Sequence, residues 1–187
     1  MQTHPTAATP IPLRLLHRPV VAGLAVPWIT ARTPNGPYRF GAVDTGRAAA
    51  ALERRWCQIC GQPLDARFVF AMRDRDVDRS IAAEAAMHPE CFRYSTQACP
   101  MLAGSMSHYR STARGGDLAG ISAILGDPHG VRAGKRAERW HAVWARDYIV
   151  FDDPLTGLAA ALLRPHHIVR VRPLATWAQG SGAGRLL

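Results

Sequence analysis

Apolar and polar positions change period several times along the chain, and each change marks an element. The stretches "VVAGLAVPWITART" and "YRFGAVD" are apolar and rich in β-formers. They are separated by "PNGP", whose Asn35-Gly36 pair supplies the positive φ angles of a tight turn. The pattern predicts a β-hairpin, with Pro27 forcing a bulge or an edge position in its first strand. "GRAAAALERR" follows as a short helix that Asp44 or Thr45 caps, its closing arginines suited to the negative end of the helix dipole. "RFVFAM" reads as a short apolar strand, and His88-Pro89-Glu90-Cys91 as a helix start with proline at the first helical position. "RWHAVWARDYIVFDD" alternates as strands, "PLTGLAAALLRP" as a short helix or turn, and "HHIVRVRPL" as an imperfect strand. Adjacent strand residues face opposite ways, so His166 and His167 are expected one outside and one inside. Asp152-Asp153 before Pro154 reads as a turn.

Outside these elements the composition loosens. Residues 1–12, with three prolines, and the tail 176–187 read as flexible, and the Gly, Ser and Arg content of residues 104–138 predicts a long loop around a brief apolar stretch. Between the flexible ends the pattern gives one α+β domain, residues 13–175, built of β-hairpins and short helices around a cysteine-rich module at 56–102.

That module holds all four cysteines. In Cys57-Gln58-Ile59-Cys60-Gly61 two thiolates lie across a tight turn, and Gly61 permits the left-handed residue that completes a knuckle. His88 and Cys91, three apart at a helix start, share one helical face. Cys57, Cys60, His88 and Cys91 are therefore the candidate ligands of a structural zinc ion. Cys99 follows Cys91 by eight residues, about 12 Å along a continuous helix. It reads as core, with a role as alternative ligand in place of His88 only if the helix breaks early. Four protein ligands make a closed site, which stabilises the fold without activating water. A four-cysteine iron–sulfur centre and buried thiols without metal are the other readings. Knuckle, excursion and helix-borne ligand pair resemble the treble-clef class of zinc fold, which implies that the metal organises the module.

Composition adds direction without a mechanism. The chain has 187 residues, enough to bury a core without metal. Its formal charge of +9, almost all of it from arginine, favours phosphate or carboxylate partners. The arginine-rich loop at Arg110, Arg114, Arg132, Lys135, Arg136 and Arg139 is the candidate nucleic-acid contact. No signal-peptide pattern opens the sequence and no apolar run spans a bilayer, so the reduced cysteine set predicts a cytoplasmic protein without membrane contact.

Familiar catalytic signatures are missing. There is no His-Glu-x-x-His, phosphate loop or Gly-x-Ser-x-Gly. His88-x-Glu90 beside Cys-x-x-Cys is similar to zinc nucleobase deaminases, but the order is reversed and Cys91 fills the water position. A treble-clef nuclease needs a second histidine set around its helix, and His129, His141, His166 and His167 lie elsewhere. "IPLRLLHRP", "GLAVPWIT", "FGAVD", "CQICGQPL", "HPECF" and "YSTQACPML" together resemble a family of uncharacterised actinobacterial proteins, over much of residues 11–110 and more loosely near "HAVWARDY". Some of its members carry a cell-envelope-biogenesis label, and the resemblance implies that Cys99 in "ACPM" belongs to the motif. The expectation is a zinc-stabilised binding protein that engages nucleic acid or an acidic protein through an arginine-rich surface. The alternative is a hydrolase- or nuclease-type enzyme with a pocket between the zinc module and the C-terminal strands.

Overall fold

A computed structural model of the chain describes residues 9–33, 36–109, 123–125 and 134–174, the three at 123–125 by their backbone. Asn35, most of the predicted 1–12 segment, much of the 104–138 loop and the 176–187 tail lie outside the described residues. The architecture is α+β, with small antiparallel sheets and three short helices among the described residues.

The first apolar stretch is not one strand. Strand β1 (Val20–Val21) turns through Ala22 and Gly23, at φ 50° and 78°, onto β2 (Leu24–Ala25). Two successive left-handed residues are the geometry of a tight hairpin turn, so the reversal comes earlier than the predicted one. Pro27 lies outside any strand, and after it the backbone N–H groups of Trp28 and Ile29 donate to the carbonyls of Ile59 and Gln58. The chain thus leaves its own sheet and docks on the cysteine knuckle. It then forms β3 (Thr30–Arg32), which pairs with β4 (Tyr38–Asp44) in the predicted hairpin. Helix α1 (Thr45–Glu53) starts as its sequence dictates: Asp44 Oδ1 accepts from the Arg47 N–H at 2.9 Å, and Ala51 and Leu52 are its buried residues.

The centre of the molecule is β5 (Phe68–Arg73), buried at every position. Helix α2 (Asp74–Arg79), β6 (Ile81–Ala82) and α3 (Pro89–Ala98) follow. Within the predicted long loop, the brief apolar stretch contributes β7 (Ala123–Leu125), a third strand beside β4. The C-terminal strands are β8 (Trp140–Ala145), β9 (Ile149–Asp153), β10 (Leu158–Leu162) and β11 (Ile168–Pro173). They form two sheets, ordered β11-β8-β5 and β6-β10-β9.

Because strand side chains alternate, the two faces of β5 feed two cores. Phe68, Phe70 and Met72 join Leu52, Val143, Tyr148, Ala161 and Leu163. Val69 and Ala71 face the other way, into a cluster that contains Leu15, Ile59, Met87, Phe92 and the three cysteines at 57, 60 and 91. This double burial explains why "RFVFAM" lacks a polar face.

"PLTGLAAALLRP" turns at Pro154–Gly157 and then runs as β10, paired along its length with β9. Alanine is the best helix former, but its advantage is under about 1 kcal/mol per residue, and here ladder bonds plus burial of Ala160 and Ala161 outweigh that preference. Asp152 and Asp153, expected in a turn, instead end β9, paired with Ala159 and Leu158, and the turn follows at 154–157. The Asp153 carboxylate is a buried group, 1 % exposed, ion-paired with Arg79 at 2.7 Å. His166 is exposed and His167 buried, within a 3-10 turn at Pro165–His167 that precedes β11. Among the described residues no helix is long and apolar enough to cross a membrane.

Asp153 makes a testable contribution. Burial alone would push its carboxyl up, yet the hydrogen bond from Arg79, with one from the Leu155 N–H, holds it below the ordinary carboxylate range. A carboxyl depressed in the folded state stabilises it above the ordinary pKa of about 3.9 and loses that contribution as pH falls through the folded value. Asp153→Asn is expected to cost about 2 kcal/mol at neutral pH, with the gap to wild type closing as pH falls through the folded-state value. Chemical denaturation across pH reads it; a constant gap would assign the loss to packing instead of charge.

Candidate metal centre

Two local turns bring the candidate ligand side chains together. Cys57 and Cys60 sit on a knuckle closed by a bridge between Trp56 and Pro63 and by two backbone bonds, Cys57 N–H to the Gln62 carbonyl and Gly61 N–H to the Cys57 carbonyl, each 2.8 Å. Gly61 has φ 76°, and an added Cβ would lie 2.5 Å from Cδ1 of Trp28. The knuckle is also tied to the second half of the site, since the Gln58 N–H donates to the Ala86 carbonyl at 3.1 Å. Met87 bridges to Val69 of β5, which fixes the chain just before His88.

His88 is the N-cap of α3, Pro89 occupies its first turn, and Cys91 follows on the same face. The four candidate ligand atoms, one each from Cys57, Cys60, His88 and Cys91, lie within 4.8 Å of one another. His88 Nδ1 is 3.4 Å from Cys60 Sγ. All four residues are buried, none more than 1 % exposed.

The tautomer of His88 follows from its partner. Nε2 lies 2.8 Å from the Pro63 carbonyl, which can only accept, so Nε2 carries a hydrogen and Nδ1 is the nitrogen left facing the thiols. A ring fixed in this way through its second nitrogen is the usual support of a metal-ligating histidine.

The electrostatics of the cluster call for a cation. At Cys57 burial pushes the thiol up, but hydrogen bonds with Cys60, Cys91 and His88 carry it well below the ordinary thiol range. Hydrogen bonds to Cys57 and Cys60, together with burial, push Cys91 well above that range. Burial pulls His88 down, yet its bonds to Cys57 and Cys60 raise it to about 10. The Cys57 thiolate is thus paired with a protonated His88 away from water, and a metal ion bound here would take the place of that proton.

Cys99 stands apart. It is the C-cap of α3 at φ −89° and ψ 117°, so the helix runs unbroken from Pro89 to Ala98 and separates the two thiols. It is partly buried, and burial raises its thiol.

Residues not anticipated from the sequence close the site from above. The N-terminal 3-10 turn Leu13–Leu15 buries Leu15 in the cysteine core and places Arg14 across the two halves. Arg14 ion-pairs with Glu90 of α3 and with Asp65 at 3.1 Å, and donates to Gln62 Oε1 at 3.3 Å. His17 Nε2 lies 2.8 Å from the Cys60 carbonyl. No local pattern links Arg14 to partners 48 to 76 positions away, which is why the latch is invisible in the spacing.

The arginine loop is only partly described. Arg110, Arg114 and Arg132 lie outside the described residues, while Lys135, Arg136 and Arg139 are exposed. Arg139 is ion-paired with Asp74 at 3.0 Å. No known protein family, no curated protein and no solved structure matches this chain.

Proposed function

We propose that the chain is a zinc-stabilised binding protein, with Cys57, Cys60, His88 and Cys91 holding one Zn²⁺ and an arginine-rich surface engaging nucleic acid or an acidic protein. The observation that carries the metal assignment is the size and closure of the donor set. Zinc bonds of 2.0–2.3 Å imply tetrahedron edges of about 3.8 Å between sulfurs and about 3.6 Å from sulfur to nitrogen. A Sγ to Nδ1 distance of 3.4 Å, with every donor within 4.8 Å of the others, fits that polyhedron. Three thiolates and an imidazole suit zinc, whereas a four-cysteine iron centre would need Cys99, which the length of α3 holds away. Four protein donors leave no position for water, so the ion has a structural role.

The order of knuckle, β5 bridged to the segment before His88, and helix-borne ligand pair supports a treble-clef-like module. Buried free thiols favour a reducing compartment, and we assign the protein to the cytoplasm.

A groove of about 730 Å³ does lie between α3 and the C-terminal strands, where the enzyme reading placed a pocket. Among the described residues its one lining carboxylate, Glu90, is engaged by Arg14, and no histidine or cysteine lines it. It supplies no acid–base pair.

Elemental analysis of protein purified under reducing conditions is expected to give about one zinc per chain. His88→Ala is expected to lose most of it and Cys99→Ala to retain it. Iron in the wild type would overturn the metal. Retention in the first variant with loss in the second would replace His88 by Cys99.

A further inference from the structure

The same groove has a feature that the metal module does not explain. Its floor includes Trp144, which also lines an adjoining hollow of about 220 Å³ with Arg67, Val169 and Arg170. Trp144 is partly buried on the face of β8 that looks toward the cysteine core. In the β8–β11 register, Arg170 lies opposite Trp144 and Arg172 opposite Ala142, so both arginines project from that face. Two residues apart on one strand, they stand about 6.8 Å from each other. Arg93, on the wall supplied by α3, completes the set with Arg67.

All four arginines are exposed, and among the described residues no carboxylate lies within ion-pair distance of any of them. This contrasts with Arg14, Arg55, Arg73, Arg75, Arg79 and Arg139, each of which has an acidic partner. Among the described residues the only acid lining either hollow is Glu90, which Arg14 compensates. Unbalanced positive charge therefore collects around an indole and an apolar trough formed by Phe92, Leu102, Ala103 and Leu174. An acidic peptide would use the charge and leave the flat indole and apolar trough unexplained. A nucleotide strand uses both, since bases stack on aromatic rings while arginines meet successive phosphates.

We propose that the Trp144 face binds single-stranded nucleic acid, with a base on Trp144 and phosphates on Arg67, Arg93, Arg170 and Arg172. The proposal rests on reading the chain as a binding protein and moves the contact from the predicted loop to this face.

The test is fluorescence anisotropy of labelled single-stranded oligothymidine with the full, metal-loaded chain at low salt. Binding is expected, weakening as salt rises. Arg170→Gln/Arg172→Gln and Trp144→Leu should each weaken it about tenfold or more, while Arg32→Gln, which removes half the pair's charge from β3, should change it less than about twofold. Zinc content and thermal midpoint are measured on every variant; if Trp144→Leu fails to fold, the exposed arginine pair decides alone. No binding at low salt, or equal losses in Arg32→Gln and the pair, overturns the proposal. So does tight binding of polyglutamate that the pair variant abolishes while oligothymidine is ignored, which would make the face a peptide site. A zinc-loaded chain that ignores oligothymidine refutes this face alone, whereas a metal-free chain that binds it refutes the zinc reading alone.

Discussion

Cys60→Ser is expected to lose the proposed metal and on the order of 5 kcal/mol of stability. The Cys60 side chain is 1 % exposed and lies in contact distance of the His88 ring, so a serine there offers a poor ligand and a hydroxyl with no water to turn to. The remaining thiols and the imidazole would then have to share protons in a buried volume that no longer contains a cation. For a chain of this size the loss corresponds to a fall in thermal midpoint of about 15 °C. The damage should be uneven. The core around Phe70, Tyr148 and Leu163 contains no ligand and buries its own apolar surface, so it should survive metal loss. Leu15, Ile59, Met87 and Phe92 share their core with the cysteines and should not. Hydrogen exchange would read this directly. The amides of Cys57 and Gly61, bonded within the knuckle, and of Arg18, bonded to the Leu15 carbonyl, should lose protection, while those of β9 and β10 keep it. Unchanged protection in the knuckle of metal-free Cys60→Ser would show that packing, not the ion, holds the site.

The cluster of Cys57, Cys60, His88 and Cys91 was legible because its information is local and its residue types are scarce. Cys57 with Cys60, and His88 with Cys91, are pairs at a spacing of three, and each pair needs only one turn of backbone to converge. The helix capped by Asp44 and the helix opened by Pro89 were legible for the same reason. What escaped depends on partners far along the chain. The alanines of β10 read as helix or turn until β9 offers a ladder. Arg14 looks like any other arginine until Glu90, Asp65 and Gln62 surround it. The unpaired arginines around Trp144 are distinguished from their paired counterparts only by tertiary neighbours, so net charge pointed to a partner without pointing to a surface.

Gly61→Ala is expected to destabilise by about 3 kcal/mol, although it adds a single methyl group and touches no ligand. Two effects add. A backbone at φ 76° disfavours any side chain by about 1 kcal/mol, and the new Cβ would sit 2.5 and 2.6 Å from Cδ1 and Cγ of Trp28. Trp28 has little room to yield. Its N–H is bonded to the Ile59 carbonyl at 2.9 Å, its ring meets Trp56 edge-on at 5.5 Å, and Arg47 lies over it at 5.9 Å. The knuckle must therefore shift instead, and it carries two of the ligands, so the variant should also release metal to a chelator faster than wild type. Gly157→Ala separates the two contributions. That glycine has φ 65° with nothing within 4 Å of an added Cβ, so it should show the backbone strain alone, about 1 kcal/mol, and normal metal release. Trp28→Leu in the Gly61→Ala background removes the clashing ring edge, so the two substitutions together should cost less than the sum of each alone. Strict additivity, with equal costs for Gly61→Ala and Gly157→Ala, would mean that the ring moves freely and that the knuckle draws no rigidity from it.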